Sequence, residues 1–265
     1  MNKIVIDKEE VVLENITNKI DVSYEIRNNP FGITKVIINV LKSCSLEIDY
    51  IMDNSKYDIL FNIEPNVKFE LYEYKNGNKA KIQYTFNTKD DSVVNIYKFN
   101  NILNIREMII ANLNGINSSI DYNFKSIATT KEVYDIVVSH NSKNTSSNII
   151  NNSLCIESGK VYIQVSGYVD NGITGCEINQ SNQIINLTDN KCEIRPNLYI
   201  NEFDTIANHS ALIGGFDLEE LFYLQTRGIS ELEARKLMIN GFLLSNIENK
   251  NMIKRVEKSI KEYWR

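Results

Sequence analysis

From about residue 3 to 206, apolar side chains recur in short alternating runs. That is the period of strands whose side chains point to opposite faces of a sheet. Examples are KVIINVL (35–41), SLEIDYIM (45–52), KFELYEY (68–74), AKIQYTF (80–86), SVVNIYKF (92–99), MIIANL (108–113), EVYDIVV (132–138), KVYIQVSGYV (160–169) and NLYI (197–200). Val, Ile, Tyr and Phe fill them, and Asn, Asp, Ser and Lys fill the breaks, which fall every 8 to 15 residues or so. No helical pattern of useful length interrupts the series, which excludes βαβ units. Two all-β architectures remain, a sandwich or barrel and a β-solenoid. Asn76-Gly77, Asn114-Gly115 and Asn171-Gly172 are compatible with tight hairpins without requiring them. Asn at recurrent turns suits a solenoid, yet no clean fixed-period repeat is visible, so periodicity alone does not choose.

Near residue 216 the pattern changes to helices. Asp217 with Glu220, and Ser230 with Glu233, have capping-box spacing. Ile229 is placed to staple onto Ala234, and Gly241 reads as the stop of the second helix. A third helix is expected over 251–264, with Met252, Ile253, Val256, Ile260 and Tyr263 on one face and Lys254, Lys258 and Lys261 elsewhere. The chain divides into an all-β body, 1–214, and a helical subdomain, 215–265, expected to dock on the last strands and to cap the solenoid or receive a partner.

Composition adds bounds. The 265 residues allow one large domain or one with a small appendage, and 43% hydrophobic with 24% charged residues is the range of a folded protein. The net charge of −5 gives no support to nucleic-acid or anionic-membrane binding. Asn abundance matters structurally, because Asn tolerates the left-handed conformation and can replace Gly at turns. No apolar run approaches the roughly 20 residues that cross a bilayer. The start, MNKIVIDKEEVV, has no signal-peptide core, so a cytoplasmic location is expected. The four cysteines, Cys44, Cys155, Cys176 and Cys192, lack CxxC spacing and read as free thiols in a reducing compartment.

Enzyme motifs are missing. There are two histidines, His140 and His209, and no GxSxG, HExxH, GxGxxG or Walker sequence. His140 reads as a turn or coil-packing residue. A carbohydrate-active solenoid would want aromatic platforms, and the single tryptophan, Trp264, lies in the tail. A non-enzymatic role is expected.

The stretch NHSALIGGFDLEELFYLQTRGISELEARKLMINGFLL, which contains His209, carries the most information. Phe222-Tyr223-Leu224, Arg227-Gly228-Ile229, Ala234 and Gly241-Phe242 match in order and spacing the C-terminal signature of the SufB/SufD family, the scaffold subunits of SUF iron–sulfur cluster assembly. HNSKNTSS (140–147) and Gln180, Leu187, Asp189 and Pro196 resemble two further family segments, so the resemblance spans roughly 135–245. It implies a right-handed parallel β-helix with a C-terminal helical subdomain. It implies a second SufB/SufD-type subunit, in a hetero- or homodimer, and a SufC-type ABC ATPase that binds the ATP. A sulfur donor such as a cysteine desulfurase system is a further implied partner, and a transient cluster at a subunit interface the implied cargo.

By the same resemblance, His209 and Cys192 are the cluster or metal candidates. Ala207, Asn208 and Ser210 are interface candidates, and Phe222, Tyr223, Arg227, Gly228, Ile229 and Phe242 are ATPase-docking candidates. Thiolate and imidazole suit iron and sulfide. The chain departs from the family in its shortness and in Ala207-Asn208 before His209, where SufB proteins carry acids around the histidine. A family member acting only as a structural partner of the ATPase is therefore the alternative, with an unrelated carbohydrate-active solenoid behind it.

Overall fold

The computed structural model describes residues 1–7, 10–26 and 32–263. It is a β-solenoid of about seven turns flanked by three helices. Each turn gives one strand to each of two parallel faces. The first face runs β2 (Glu10–Glu14), β1 (Asn2–Asp7), β5 (Cys44–Ile63), β6 (Lys68–Thr88), β7 (Val93–Leu113), β8 (Ser119–Ala128), β10 (Ser146–Cys155), β12 (Cys176–Asn186), β14 (Thr205–Gly214). The second runs β3 (Ile20–Ile26), β4 (Ile33–Val40), then the later halves of β5, β6 and β7, then β9 (Lys131–His140), β11 (Lys160–Val169) and β13 (Glu193–Ile200). Among the described residues only the β1–β2 and β3–β4 pairs are antiparallel.

Several expectations change. The runs at 68–74 and 80–86, and at 92–99 and 108–113, are halves of single long strands, β6 and β7, that bend from one face to the other. The bend needs a left-handed residue, and Asn54, Lys79 and Asn104 supply it in one register column with φ of 53°, 47° and 54°. The Asn-Gly pairs make no hairpins: Gly77 lies at the β6 bend, and the other two glycines lie in turns between parallel strands. A repeat does exist, masked by drift. Ser45 and Glu70 on adjacent coils are 25 residues apart, Ser126 and Ser153 are 27, and Asn151 and Asn182 are 31.

Asparagine has a structural task at most of these turns. Asn66, Asp91, Asn117 and Asn144 hold φ between 56° and 61° in successive coils, and Gly175 takes the next place at 72°. Their backbone amides donate to the turn above, as in Asn117 to Lys143 and Asn144 to Thr174. A side-chain ladder runs along the second face, Asn112 donating to Asn87, Asn87 to Asn62 and Asn62 to Asn39, at 2.9, 3.1 and 2.9 Å.

The lumen is apolar, with stacked aromatics such as Phe61 and Phe86 (4.7 Å between centroids), and it encloses charges. Glu73, Lys75, Lys98 and Glu107 are fully buried and mutually paired at 3.0 to 3.2 Å, apart from the closer Lys98–Glu107 pair. Tyr50 donates to Glu73, Tyr84 to Tyr50, and Asn100 to Tyr134.

The tail holds α1 (Leu218–Thr226), α2 (Glu231–Leu244) and α3 (Lys250–Tyr263). Asp217 caps α1, and Ser230 with Glu233 completes a capping box on α2. Gly241 is no stop. The helix continues through it to Leu244, because Ile239 and Leu243 on either side are fully buried, and a Cβ at 241 would meet open space. Residue 264, the expected end of the third helix and the site of Trp264, lies outside the described residues.

Nor does the tail dock only on the last strands. It folds back along the first face, where Phe99, Ile127, Leu154 and Ile185 form an apolar stripe that receives Ile239, Met252, Val256 and Ile260. Arg255 reaches β5, pairing with Asp49 and, at 3.0 Å, with Glu47. Each buried aliphatic of this seam stabilises by about 1.5–3 kcal/mol.

Candidate functional site

β14 is the last strand of the first face, paired with β12 on one side only. Such an edge presents unpaired backbone donors and acceptors. His209 lies at its middle, in register with Gln180, and is exposed. Ala207 is half-buried against Cys176 and Ile178. Asn208 is exposed and donates to Asn179 (3.1 Å), and the Ser210 carbonyl accepts from Asn182 (3.1 Å). Ile206, Leu212 and Ile213 add exposed apolar surface to the same strand.

Cys192 lies just before β13 and is nearly buried, at 9% exposure. Its Sγ is 3.4 Å from that of Cys155, which ends β10. The Val161 amide also points to it, at 3.5 Å. The hydrogen bond from Cys155 draws the Cys192 thiol down to about 6; burial opposes this and the amide assists. Cys155 moves the opposite way, raised chiefly by its hydrogen bond to Cys192 and then by burial. Of the two, Cys192 is the thiol that gives up its proton more readily, and the thiolate is the nucleophilic and metal-binding form. Glu132 lies close enough to raise Cys155, and its own carboxyl is pushed up to about 8 by burial, so it is protonated at neutral pH. Tyr134 donates to Glu132 at 3.0 Å.

The sequence reading did not foresee the Cys155–Cys192 pair. The two residues are 37 apart and sit on different faces, so neither spacing nor strand phase joins them. Cys44 is half-buried, and Cys176 is buried against Thr145 and the Ser142 and Ile173 carbonyls. His140 is a packing residue: its ring nitrogens meet Thr145 and Ser147 at 2.8 and 2.9 Å, and burial lowers it to about 4.

His209 and Cys192 are not brought together within one chain. Gln180, the neighbour of His209, donates to the Asn197 carbonyl, and Cys192 precedes Asn197 by a stretch of strand of roughly 16 Å. Among the described residues no group of three or more His, Cys, Asp or Glu side chains is placed to hold a metal ion.

On the tail, Phe222 and Tyr223 are exposed at 67% and 55%, beside exposed Leu218, Leu232 and Leu237. Arg227 lies over the Tyr223 ring at 5.2 Å and donates to its hydroxyl at 3.1 Å. Gly228 and Ile229 close α1: the Gly228 amide donates to Gln225 and the Ile229 amide to Leu224, with Gly228 at φ +84°. That is a Schellman stop. Ile229 is half-buried, and Phe242 packs into the seam between tail and solenoid.

The described residues thus form a parallel solenoid with an open terminal edge, a close pair of thiols and a helical flank. The family model described as SUF system FeS cluster assembly, SufBD core domain, matches residues 51–242, and the chain belongs to this family. It is 28% identical over 130 residues to the iron–sulfur cluster assembly protein SufD of Bacillus subtilis, covering 49% of this chain and 30% of that protein. It is 41% identical over 71 residues to an iron–sulfur cluster assembly SufBD family protein of Mycobacterium tuberculosis, covering 26% of this chain and 18% of that one. The SufD of Plasmodium falciparum is 40% identical over 60 residues, 22% of this chain and 4% of that protein. The matched regions thus span less than a third of these relatives. Among the described residues no helix is long and apolar enough to cross a membrane.

Proposed function

We propose that this chain is a scaffold subunit of SUF iron–sulfur cluster assembly. It pairs through β14 with a second SufB/SufD-type subunit, and its tail receives a SufC-type ABC ATPase that binds the ATP. The observation that carries the reading is the bare β14 edge with His209 at its centre, in a chain of this family. An edge strand shared between two subunits doubles the ligands available to a cluster that must later be given away. His209 offers imidazole nitrogen there, and the Cys192 sulfur, buried beside Cys155 away from that edge, would have to be uncovered to join it; both donor types suit iron and sulfide as cargo. Sulfur would come from a donor such as a cysteine desulfurase system. The exposed Phe222, Tyr223 and Arg227 are the surface offered to the ATPase.

A second reading, a structural partner of the ATPase without cluster chemistry, is favoured by the neutral Ala207 and Asn208 beside His209. The deciding experiment is anaerobic co-expression of the chain with the SufC-type ATPase of its own genome, purification through a tag on one protein, and assay of stoichiometry, iron and acid-labile sulfide. A complex carrying iron and sulfide supports the scaffold, and its stoichiometry shows whether the chain pairs with itself. A complex without iron supports the second reading. No complex sinks the tail-docking role. His209→Ala should lower bound iron and sulfide while leaving the fold intact; an unchanged content removes His209 as a ligand.

A further inference from the structure

On the outward side of the second face, Lys56 pairs in register with Lys81, and Lys81 with Arg106. Neighbouring strands lie about 4.8 Å apart, so the three cations form a column of roughly 10 Å along the solenoid axis. Lys79, at the left-handed bend, and Lys131, at the start of β9, flank it, and the five surround an open cavity of about 540 Å³. No carboxylate lines this cavity. Among the described residues Lys56, Lys79, Lys81 and Arg106 have no side-chain hydrogen bond or ion pair, and the Lys131 ammonium only lies 5.4 Å over the Tyr162 ring. Val133, half-buried on the outward side, gives the cavity an apolar floor. A second cavity of about 400 Å³ shares Arg106, Lys131 and Val133 and runs on to Glu193, the residue after Cys192.

Like charges directly opposite on adjacent strands destabilise a sheet. Elsewhere this chain stacks asparagine on asparagine and aromatic on aromatic, so three stacked cations are a local cost that a bound anion would offset. We propose that the groove docks an acidic helical segment of a partner protein, lying along the solenoid axis with carboxylates at i, i+4 and i+7 facing Lys56, Lys81 and Arg106. The spacing decides the occupant. Helix positions three or four apart are about 5–6 Å from one another, and seven residues rise about 10 Å, which matches the column. An apolar side chain from the same helix face would rest on the Val133 floor. A phosphate chain sets its charges closer together than the rungs and has no use for that floor. An extended nucleic acid would be repelled by a chain of net charge −5. The site lies apart from β14 and the tail and stands whether or not the scaffold reading holds.

The test uses the full chain and a fluorescent, covalently stapled helical peptide with Glu at i, i+4 and i+7 of one face, read by anisotropy. Its all-Gln counterpart, an oligothymidine and tripolyphosphate serve as competing probes. Saturable binding of the Glu peptide is expected, with roughly tenfold loss on Glu-to-Gln exchange and a similar loss in the Lys81→Gln/Arg106→Gln variant. Lys254→Gln/Lys258→Gln, on exposed positions of α3, should bind as the wild type does. Lys81→Gln should also raise the melting temperature, because it relieves the column. Equal binding of the two peptides, equal binding by the groove variant, or preference for oligothymidine or tripolyphosphate would overturn the proposal.

Discussion

Glu132 is fully buried at the start of β9, and its Oε1 has no hydrogen-bond partner among the described residues. Burial raises its carboxyl from 4.5 to about 8. The folded chain therefore holds this proton more tightly than the unfolded chain does. The resulting stability is fully present below about pH 4.5 and is lost as pH rises through about 8, with an upper magnitude of about 5 kcal/mol. Glu132→Gln should remove that dependence. The variant's urea midpoint should match the wild type near pH 5 and exceed it at pH 8.5, with an unchanged slope; parallel pH profiles would show that Glu132 is ionised in the fold. Part of this interior was legible in the residues. The period of two that buries Phe69 and Leu71 also sends Glu73 and Lys75 inward, so their charge could be placed in the lumen from sequence. Glu107 and Lys98, which complete the quartet, come from the two halves of one bent strand, and no local pattern announces that they meet. The thiol pair was illegible for the same reason, since coils of 25 to 31 residues change the offset from one turn to the next.

Among the elements, two glycines with left-handed backbones make a contrast. At Gly228 a Cβ would meet nothing within 4 Å, so Gly228→Ala carries only the cost of the αL conformation, about 1 kcal/mol, seen as a small drop in melting temperature. At Gly77, φ is +125° and a Cβ would sit 2.1 Å from the Met52 carbonyl oxygen on the adjacent strand. Backbone cannot yield there as a flexible side chain would, so Gly77→Ala should cost several times more and reduce soluble yield. Similar losses at the two sites would show that the β6 bend relaxes. The Arg227-Gly228-Ile229 match was legible as a signature, while the structure supplies its physical content, a helix stop that sets where α2 begins. The strand runs were equally legible in position, but not their fusion into β5, β6 and β7. A bend made by asparagine, or at Lys79 by lysine, looks in sequence like a gap between two strands.

For the whole molecule, the two ends of the solenoid are unlike. At the N-terminal end the outermost strands are antiparallel and carry acids, Glu10 and Glu14 on β2 and Asp21 and Glu25 on β3. At the C-terminal end β13 carries Glu193, Arg195 and Pro196, a combination typical of a protected edge. β14, Thr205–Gly214, contains no Asp, Glu, Lys, Arg or Pro, and it exposes Ile206, Leu212 and Ile213. Among the described residues, growth of the sheet by another chain is thus opposed at three edges and least opposed at β14, so the pairing proposed above would close at two subunits. Ile206→Lys/Leu212→Lys adds the edge charges that the other three strands carry. Both positions point to solvent in the single chain, so its melting temperature should change by little. Sedimentation of the complex purified with its partners should then show the pairing reduced by roughly tenfold or more in affinity. Retention of full-strength pairing by this variant would place the subunit contact elsewhere and leave the bare edge without a partner.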